Sequence, residues 1–230
     1  MKIAILGAMS EEIEPILEAV GEYKTTRYAD NNYYEASYKG LDLVIAYSKI
    51  GKVFSSLSAA VLIEHFGCEK LLFSGVAGAI TPTLKIGDIV IASKLAQHDL
   101  DITVFGHPYG YVPEGSVFVE ADRELNLLAH SIAKDLGIEV VEGVIATGDQ
   151  FVADETRRSF IERTFKADAL EMEGASVAVV CHSLGVPFFI LRSISDAADM
   201  EAGFSFDEFL KSSAEVSAKF VLAMVDRLGR

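Results

Sequence analysis

Two carboxylates, Glu171 and Glu173, straddle a methionine in the run ALEMEGASVAVV, which is otherwise small and apolar. A third acid, Asp196, ends another apolar run in RSISD. A fourth, Glu12, follows the first apolar run of the chain in GAMSEE. Each has a structural reading. Glu11, Glu12 and Glu14 stand where a helix begins, and acids there complement the helix dipole. Glu173, next to Gly174, could cap the helix that follows, and Asp196 could cap a turn before Ala197. Taken together they read differently. Acids at the ends of three separate strands of one sheet converge on one rim. Like charges that close raise at least one pKa, which makes a protonated acid available near neutrality. One carboxylate that activates water and one carboxylic acid that protonates a leaving group can cleave a glycosidic bond. Anionic walls also suit a transition state with cationic sugar character.

The elements that must position these acids are visible as hydrophobic runs. Strands are expected over 2–7, 33–38, 42–48, 70–75, 88–93, 140–148, 168–172 and 186–195. Several are almost continuously apolar, as strands buried on both faces are. Lys39-Gly40 between the second and third suggests a tight hairpin. Helices are expected over 53–66, 123–136, 175–184 and 206–228, and Gly67, Gly137 and Gly185 stand where a C-terminal glycine belongs. Strands alternating with helices give an α/β fold: one domain over 1–230, a central mixed twisted sheet, helices on both faces. In such sheets ligands sit beyond the carboxyl ends of the strands. The segments there are rich in glycine and acid and poor in base.

Bulk properties exclude several classes. The chain has 230 residues, enough for one large domain. Half of it is apolar, which argues against disorder. The net charge of −14 argues against nucleic acid or an anionic membrane as partner. Cys68 and Cys181 lie in apolar helical contexts and read as buried free thiols in a reducing compartment. The N-terminal apolar run is too short for a signal peptide, and no run reaches the length of a membrane span. A cytoplasmic location is expected. GAMSEE is not a dinucleotide fingerprint, and neither a phosphate-binding P-loop nor a G-x-S-x-G elbow occurs. His98-Asp99-Leu100-Asp101 has metal-capable atoms without a recognised ligand spacing, and reads as a strand end or loop. No metal and no cofactor is expected.

The motifs GAMSEE, SKIGKV, SGVAG, HD-x-D, GDQF, EMEGA, RSISD and SFDEF occur in this order. From Met1 to about Leu228 the chain resembles the bacterial 5′-methylthioadenosine/S-adenosylhomocysteine nucleosidases, of the purine nucleoside phosphorylase-like superfamily. The resemblance implies roles. Glu12 activates the attacking water, and Asp196 delivers a proton to N7 of the departing adenine. Glu173 binds the ribose 2′ and 3′ hydroxyls, Met172 packs under the sugar, and Glu171 supports from behind. Phe151 stacks on the purine while the backbone of Val152 reads its edge. Arg192 and Ser195 flank Asp196. Met9, Ile50, Ile102, Phe105 and Phe206 line the apolar end that takes the 5′ substituent. The resemblance also implies a homodimer, in which residues around Tyr111 to Pro113 cover the partner's pocket.

Two positions depart from the common pattern. Val76 replaces a frequent serine near the site, and Gln150 replaces a small residue. GVAG and GDQF are similar to the branch that also accepts 6-amino-6-deoxyfutalosine, an intermediate of menaquinone synthesis. The substrates implied are therefore 5′-methylthioadenosine, S-adenosylhomocysteine, 5′-deoxyadenosine and aminodeoxyfutalosine, serving methionine salvage and possible menaquinone synthesis. Other readings are a phosphate-dependent phosphorylase of the same fold, a nucleoside sensor without catalysis and, remotely, an oxidoreductase. Glu11 and Glu12 in the loop after the first strand repel phosphate and favour water.

Overall fold

The computed structural model describes residues 1–196 and 202–229. In chain order it comprises β1 (Lys2–Gly7), α1 (Ser10–Val20), β2 (Tyr23–Tyr28), β3 (Asn31–Tyr38), β4 (Leu41–Tyr47), α2 (Lys52–Ala60), β5 (Lys70–Ala79) and β6 (Ile89–Gln97). There follow β7 (Phe118–Glu120), α3 (Arg123–Leu136), β8 (Val140–Thr147), α4 (Glu155–Phe165), β9 (Ala169–Glu171), α5 (Gly174–Leu184), β10 (Phe188–Asp196) and α6 (Ala202–Leu228). A π-helical turn, Val61–His65, continues α2, and a short 3-10 turn, Thr103–Phe105, follows β6.

The expected mixed sheet is present, with one feature that the sequence did not announce. β10 pairs parallel with β5 and antiparallel with β6, while β6 pairs β8, β8 pairs β9 and β9 pairs β5. These five strands therefore close on themselves. From β5 the sheet continues outward through β1, β4, β3 and β2. β1 shows why the apolar runs are unbroken. Ala4 and Leu6 enter the core containing Leu62 and Val177 of the α2 and α5 side. Ile3 and Ile5 enter the opposite core, with Ile13 and Ile16 of α1 and Phe220 and Val221 of α6. A strand sandwiched in this way has no polar face to display. Each fully buried aliphatic or aromatic side chain adds roughly 1.5–3 kcal/mol.

Three elements, β2, the three-residue β7 and α4, left little trace in the sequence. β2 reads YKTTRY and is almost wholly exposed, held at the edge by its antiparallel pairing with β3. α4 buries only Ile161 and Phe165, too few to set a helical period. The glycines at helix ends are as expected: Gly67, Gly137 and Gly185 have φ of 71°, 66° and 67°. Both buried thiols are pushed up to about 12 by desolvation, consistent with inert core cysteines. No helix among the described residues is long and apolar enough to cross a membrane.

β3 and β4 meet at Lys39-Gly40, where φ is 52° and 81°. Positive φ at both central residues is what a tight two-residue hairpin demands, and lysine is poorly suited to it. Lys39→Asn should therefore raise stability by up to about 1 kcal/mol, seen as a shifted denaturant midpoint with unchanged slope.

Candidate active site

A cleft of about 570 Å³, counting the open solvent at its mouth, lies beside the last residues of β1, β5, β8, β9 and β10. Met9 and Glu12 reach it from the start of α1, Val76 from β5, and Phe151 and Val152 from the segment after β8. Met172 and Glu173 follow β9; Ser195 and Asp196 finish β10; Ile50 and Phe206 complete the apolar rim. Phe151 and Phe206 meet edge to face, with ring centres 6.0 Å apart. Convergence of acids from separate strand ends is thus a feature of the fold.

Glu12 is 2% exposed. Its Oε2 accepts the backbone N–H groups of Ala8 (2.5 Å) and Met9 (3.0 Å), and its Oε1 accepts that of Val76 (3.1 Å). The helix-start reading and the chemical reading coexist here, because the same carboxylate accepts the N-cap N–H of α1 at Met9 and faces the cleft. Desolvation raises the Glu12 carboxyl above its ordinary range, and the Arg192 charge and the three backbone donors oppose it. The Val76 contact uses the main chain, so the missing serine hydroxyl does not cost Glu12 this bond.

Glu171 is the device that organises the other side. Its Oε2 receives Arg192 Nη2 at 2.6 Å and Nε at 3.2 Å, and also the N–H groups of Glu173 (3.1 Å) and Gly174 (2.7 Å). Its Oε1 receives the Thr147 hydroxyl. Glu171 therefore caps α5. Glu173 stands at the N-cap position but makes no side-chain cap bond. Its Oε1 instead accepts the backbone N–H of Gly51 at 2.8 Å. Desolvation, with Glu171 close by, pushes the Glu173 carboxyl up to about 8.

Asp196 is 4% exposed and accepts the Ser195 hydroxyl at 2.9 Å. A register shift between Ile194 and Asp196 against β5 re-aims these last residues, as bulges beside sites commonly do. The turn that the capping reading of Asp196 invoked falls on residues 197–201, outside the described residues.

Within the single chain, several expected placements differ. Phe105 does not line this chain's own cleft. It is 77% exposed on a turn closed by Asp101, whose Oδ1 accepts the Thr103 N–H and hydroxyl. Ile102, on the same turn, is also absent from the lining. Arg192 does not flank Asp196 in the cleft wall; it lies behind it, over the Phe73 ring and committed to Glu171. Glu171 in turn lines the wall itself, where a supporting position behind the wall was expected. Gly51 was not expected as a donor to Glu173, because a backbone N–H has no signature in residue type.

Removing one partner of a buried pair strands the other charge. Glu171→Gln should destabilise the chain by about 3–5 kcal/mol in equilibrium unfolding. Glu173 gives a pH signature. Its carboxyl is raised in the fold from 4.5 to about 8, so its contribution is fully present below about pH 4.5 and is lost as pH rises through about 8. Unfolding free energy should fall across that window, and Glu173→Gln should flatten the fall.

A profile of the phosphorylase superfamily matches residues 2–226. The aminodeoxyfutalosine nucleosidase of Campylobacter jejuni is 58% identical over 228 residues, spanning 99% of this chain and 100% of that protein. The 5′-methylthioadenosine/S-adenosylhomocysteine nucleosidase of Anoxybacillus flavithermus is 38% identical over 232 residues, spanning 100% of both. The solved futalosine hydrolase of Helicobacter pylori superposes with a TM-score of 0.97 at 50% identity, covering 99% of this chain and 98% of that one. The chain therefore belongs to the phosphorylase superfamily, in its branch of 5′-methylthioadenosine/S-adenosylhomocysteine and aminodeoxyfutalosine nucleosidases.

Proposed function

We propose that the chain, acting as one domain, hydrolyses the N-glycosidic bond of 5′-substituted adenine nucleosides and releases adenine. The observation that carries this reading is that Glu12, Glu173 and Asp196 border one cleft whose described lining contains no cationic side chain. Asp196, oriented by Ser195, gives a proton to N7, so adenine leaves as a neutral base. The C1′–N9 bond breaks and positive charge develops on the sugar. Glu12 takes a proton from water as the water oxygen bonds to C1′. A carboxyl raised by burial is a stronger base than an exposed one, which suits Glu12 to the task. Glu173 holds the ribose hydroxyls, Phe151 stacks on the purine, and the Val152 backbone reads its edge. Met9, Ile50, Val76, Met172 and Phe206 pack the sugar and its 5′ substituent. Phosphorolysis is disfavoured, because a phosphate nucleophile needs cations that this lining lacks.

Both substrate classes are proposed. Identity to the Campylobacter jejuni aminodeoxyfutalosine nucleosidase (58%) exceeds identity to the Anoxybacillus flavithermus methylthioadenosine/adenosylhomocysteine nucleosidase (38%), which supports use of aminodeoxyfutalosine. A cytoplasmic homodimer is also proposed. Val53, Phe54 and Leu57 of α2 and Val104 and Phe105 are exposed apolar groups. The Lys52–Asp99 ion pair ties the start of α2 to the segment after β6, and exposed apolar groups on both are what a second copy would cover.

The test is adenine release from methylthioadenosine, adenosylhomocysteine and aminodeoxyfutalosine, by the unaltered chain and by Glu12→Gln and Asp196→Asn. Each substitution should lower kcat by about 10²–10⁴-fold on every substrate cleaved. Normal turnover by Glu12→Gln would remove the water-activation role. Cleavage of one substrate class alone at saturation would remove the dual specificity.

A further inference from the structure

The His98-Asp99-Leu100-Asp101 segment carries no role in the reaction described above, yet Asp99 is bound into the structure from two sides. Its Oδ1 accepts Lys52 Nζ at 2.6 Å, and its Oδ2 accepts the backbone N–H of Asp149 at 2.8 Å. The Asp149 carboxylate returns the contact, accepting the backbone N–H of Lys52 at 2.7 Å. Gln97 Oε1 gives Lys52 Nζ another acceptor at 3.2 Å. Asp99, Lys52 and Asp149 thus form a closed ring. It joins the loops that leave β4, β6 and β8. The Lys52 and Asp99 side chains are only 18% and 22% exposed, so water competes poorly for these bonds. Burial by itself would raise the Asp99 carboxyl; Lys52 and the Asp149 N–H outweigh it and hold that carboxyl below its ordinary range.

What the ring holds lies next to it in the chain. Gly51 precedes Lys52 and gives its N–H to Glu173 at 2.8 Å. Its φ of +100° belongs to backbone that other residues rarely adopt, and a Cβ there would sit 3.0 Å from Asp149 Oδ1. Asp149 precedes Gln150 and Phe151, both in the cleft wall. A simple helix cap on α2 would need Asp149 alone. Asp99 and Lys52 add a second and third tie, which fix the two loops to each other.

We propose that Asp99 is a positioning residue: by closing the ring with Lys52 and Asp149 it holds the Gly51 N–H against the Glu173 carboxyl group and so sets the site that grips the ribose. The proposal rests on the reading of Glu173 as the sugar-binding carboxylate. Opening the ring frees the loop at Gly51, and Glu173 loses a directed donor. Contacts to the sugar hydroxyls exist before and during reaction, so their loss raises KM more than it lowers kcat.

The experiment is a double-mutant cycle on the intact chain, with kcat and KM measured on methylthioadenosine and aminodeoxyfutalosine for Asp99→Ala, Glu173→Gln and the pair. Asp99→Ala should cost about 10- to 100-fold in kcat/KM, mostly in KM. In the Glu173→Gln background the same change should cost less than about threefold. Lys52→Met, which opens another edge of the ring, should show the same KM-weighted loss. Asp99→Asn keeps one acceptor oxygen and the side chain's shape but turns the other oxygen into an amide donor, so it should recover only part of the activity; it replaces Asp99→Ala if that variant does not fold. A full Asp99→Ala cost in the Glu173→Gln background would overturn the positioning role. So would an unimpaired Asp99→Ala beside an impaired Glu173→Gln. An unimpaired Glu173→Gln would instead overturn the sugar-binding reading beneath it.

Discussion

The buried pairing of Arg192 with Glu171 is the interaction on which the site depends. Arg192 is 1% exposed and lies over the Phe73 ring. Around it stand Glu12, Glu171 and Glu173, with Asp196 further along the same cleft. One guanidinium cannot neutralise so many carboxylates, and here it is committed to one. Glu171 takes two of its nitrogens and also caps α5. That leaves Glu12 and Glu173 buried with only partial compensation, and both carboxyls rise. The same pairing that stabilises the wall therefore keeps protons available beside it. Packing makes room for this. A Cβ on Gly75 would sit 2.8 Å from Glu12 Oε1 and 3.1 Å from Arg192 Nη1, so only glycine lets the two approach.

The fold brings these groups together at Gly78 of β5, which pairs Leu170 of the oppositely running β9 on one side and Asp196 of β10 on the other. Closure of β5, β9, β8, β6 and β10 into a ring sets the ends of β5, β9 and β10 side by side. The register shift near the end of β10 then re-aims Ser195 and Asp196. Loops after β4, β6 and β8 are tied to one another by charged hydrogen bonds beside the Gly51–Glu173 contact.

Much of this was legible in the sequence, for identifiable reasons. Unbroken apolar runs marked the central strands because both faces are buried, and glycines marked the ends of α2, α3 and α5. Glu12, Glu173 and Asp196 stood out because acids seldom follow such runs without cause. The edge strand β2 and helix α4 were missed because each buries too little to leave a period. Glu171 could not be told from Glu173 by type. The resemblance separates their roles, and the structure separates their partners: Arg192, twenty-one residues further along the chain, pairs with Glu171, and the Gly51 N–H with Glu173. Phe105 lies on the surface of its own chain, outside this cleft, and residue type alone does not tell an apolar group that faces its own cleft from one that faces outward. Gly51 was invisible as a donor because every residue but proline carries a backbone N–H.

An acid-lined cleft of this kind admits water as nucleophile and rejects phosphate. The direct measurement is the identity of the sugar product, by mass spectrometry, after complete turnover in saturating phosphate. The account predicts free 5-substituted ribose and adenine, unchanged by phosphate. A sugar 1-phosphate would contradict it, because its formation requires phosphate to be held where Glu12 stands.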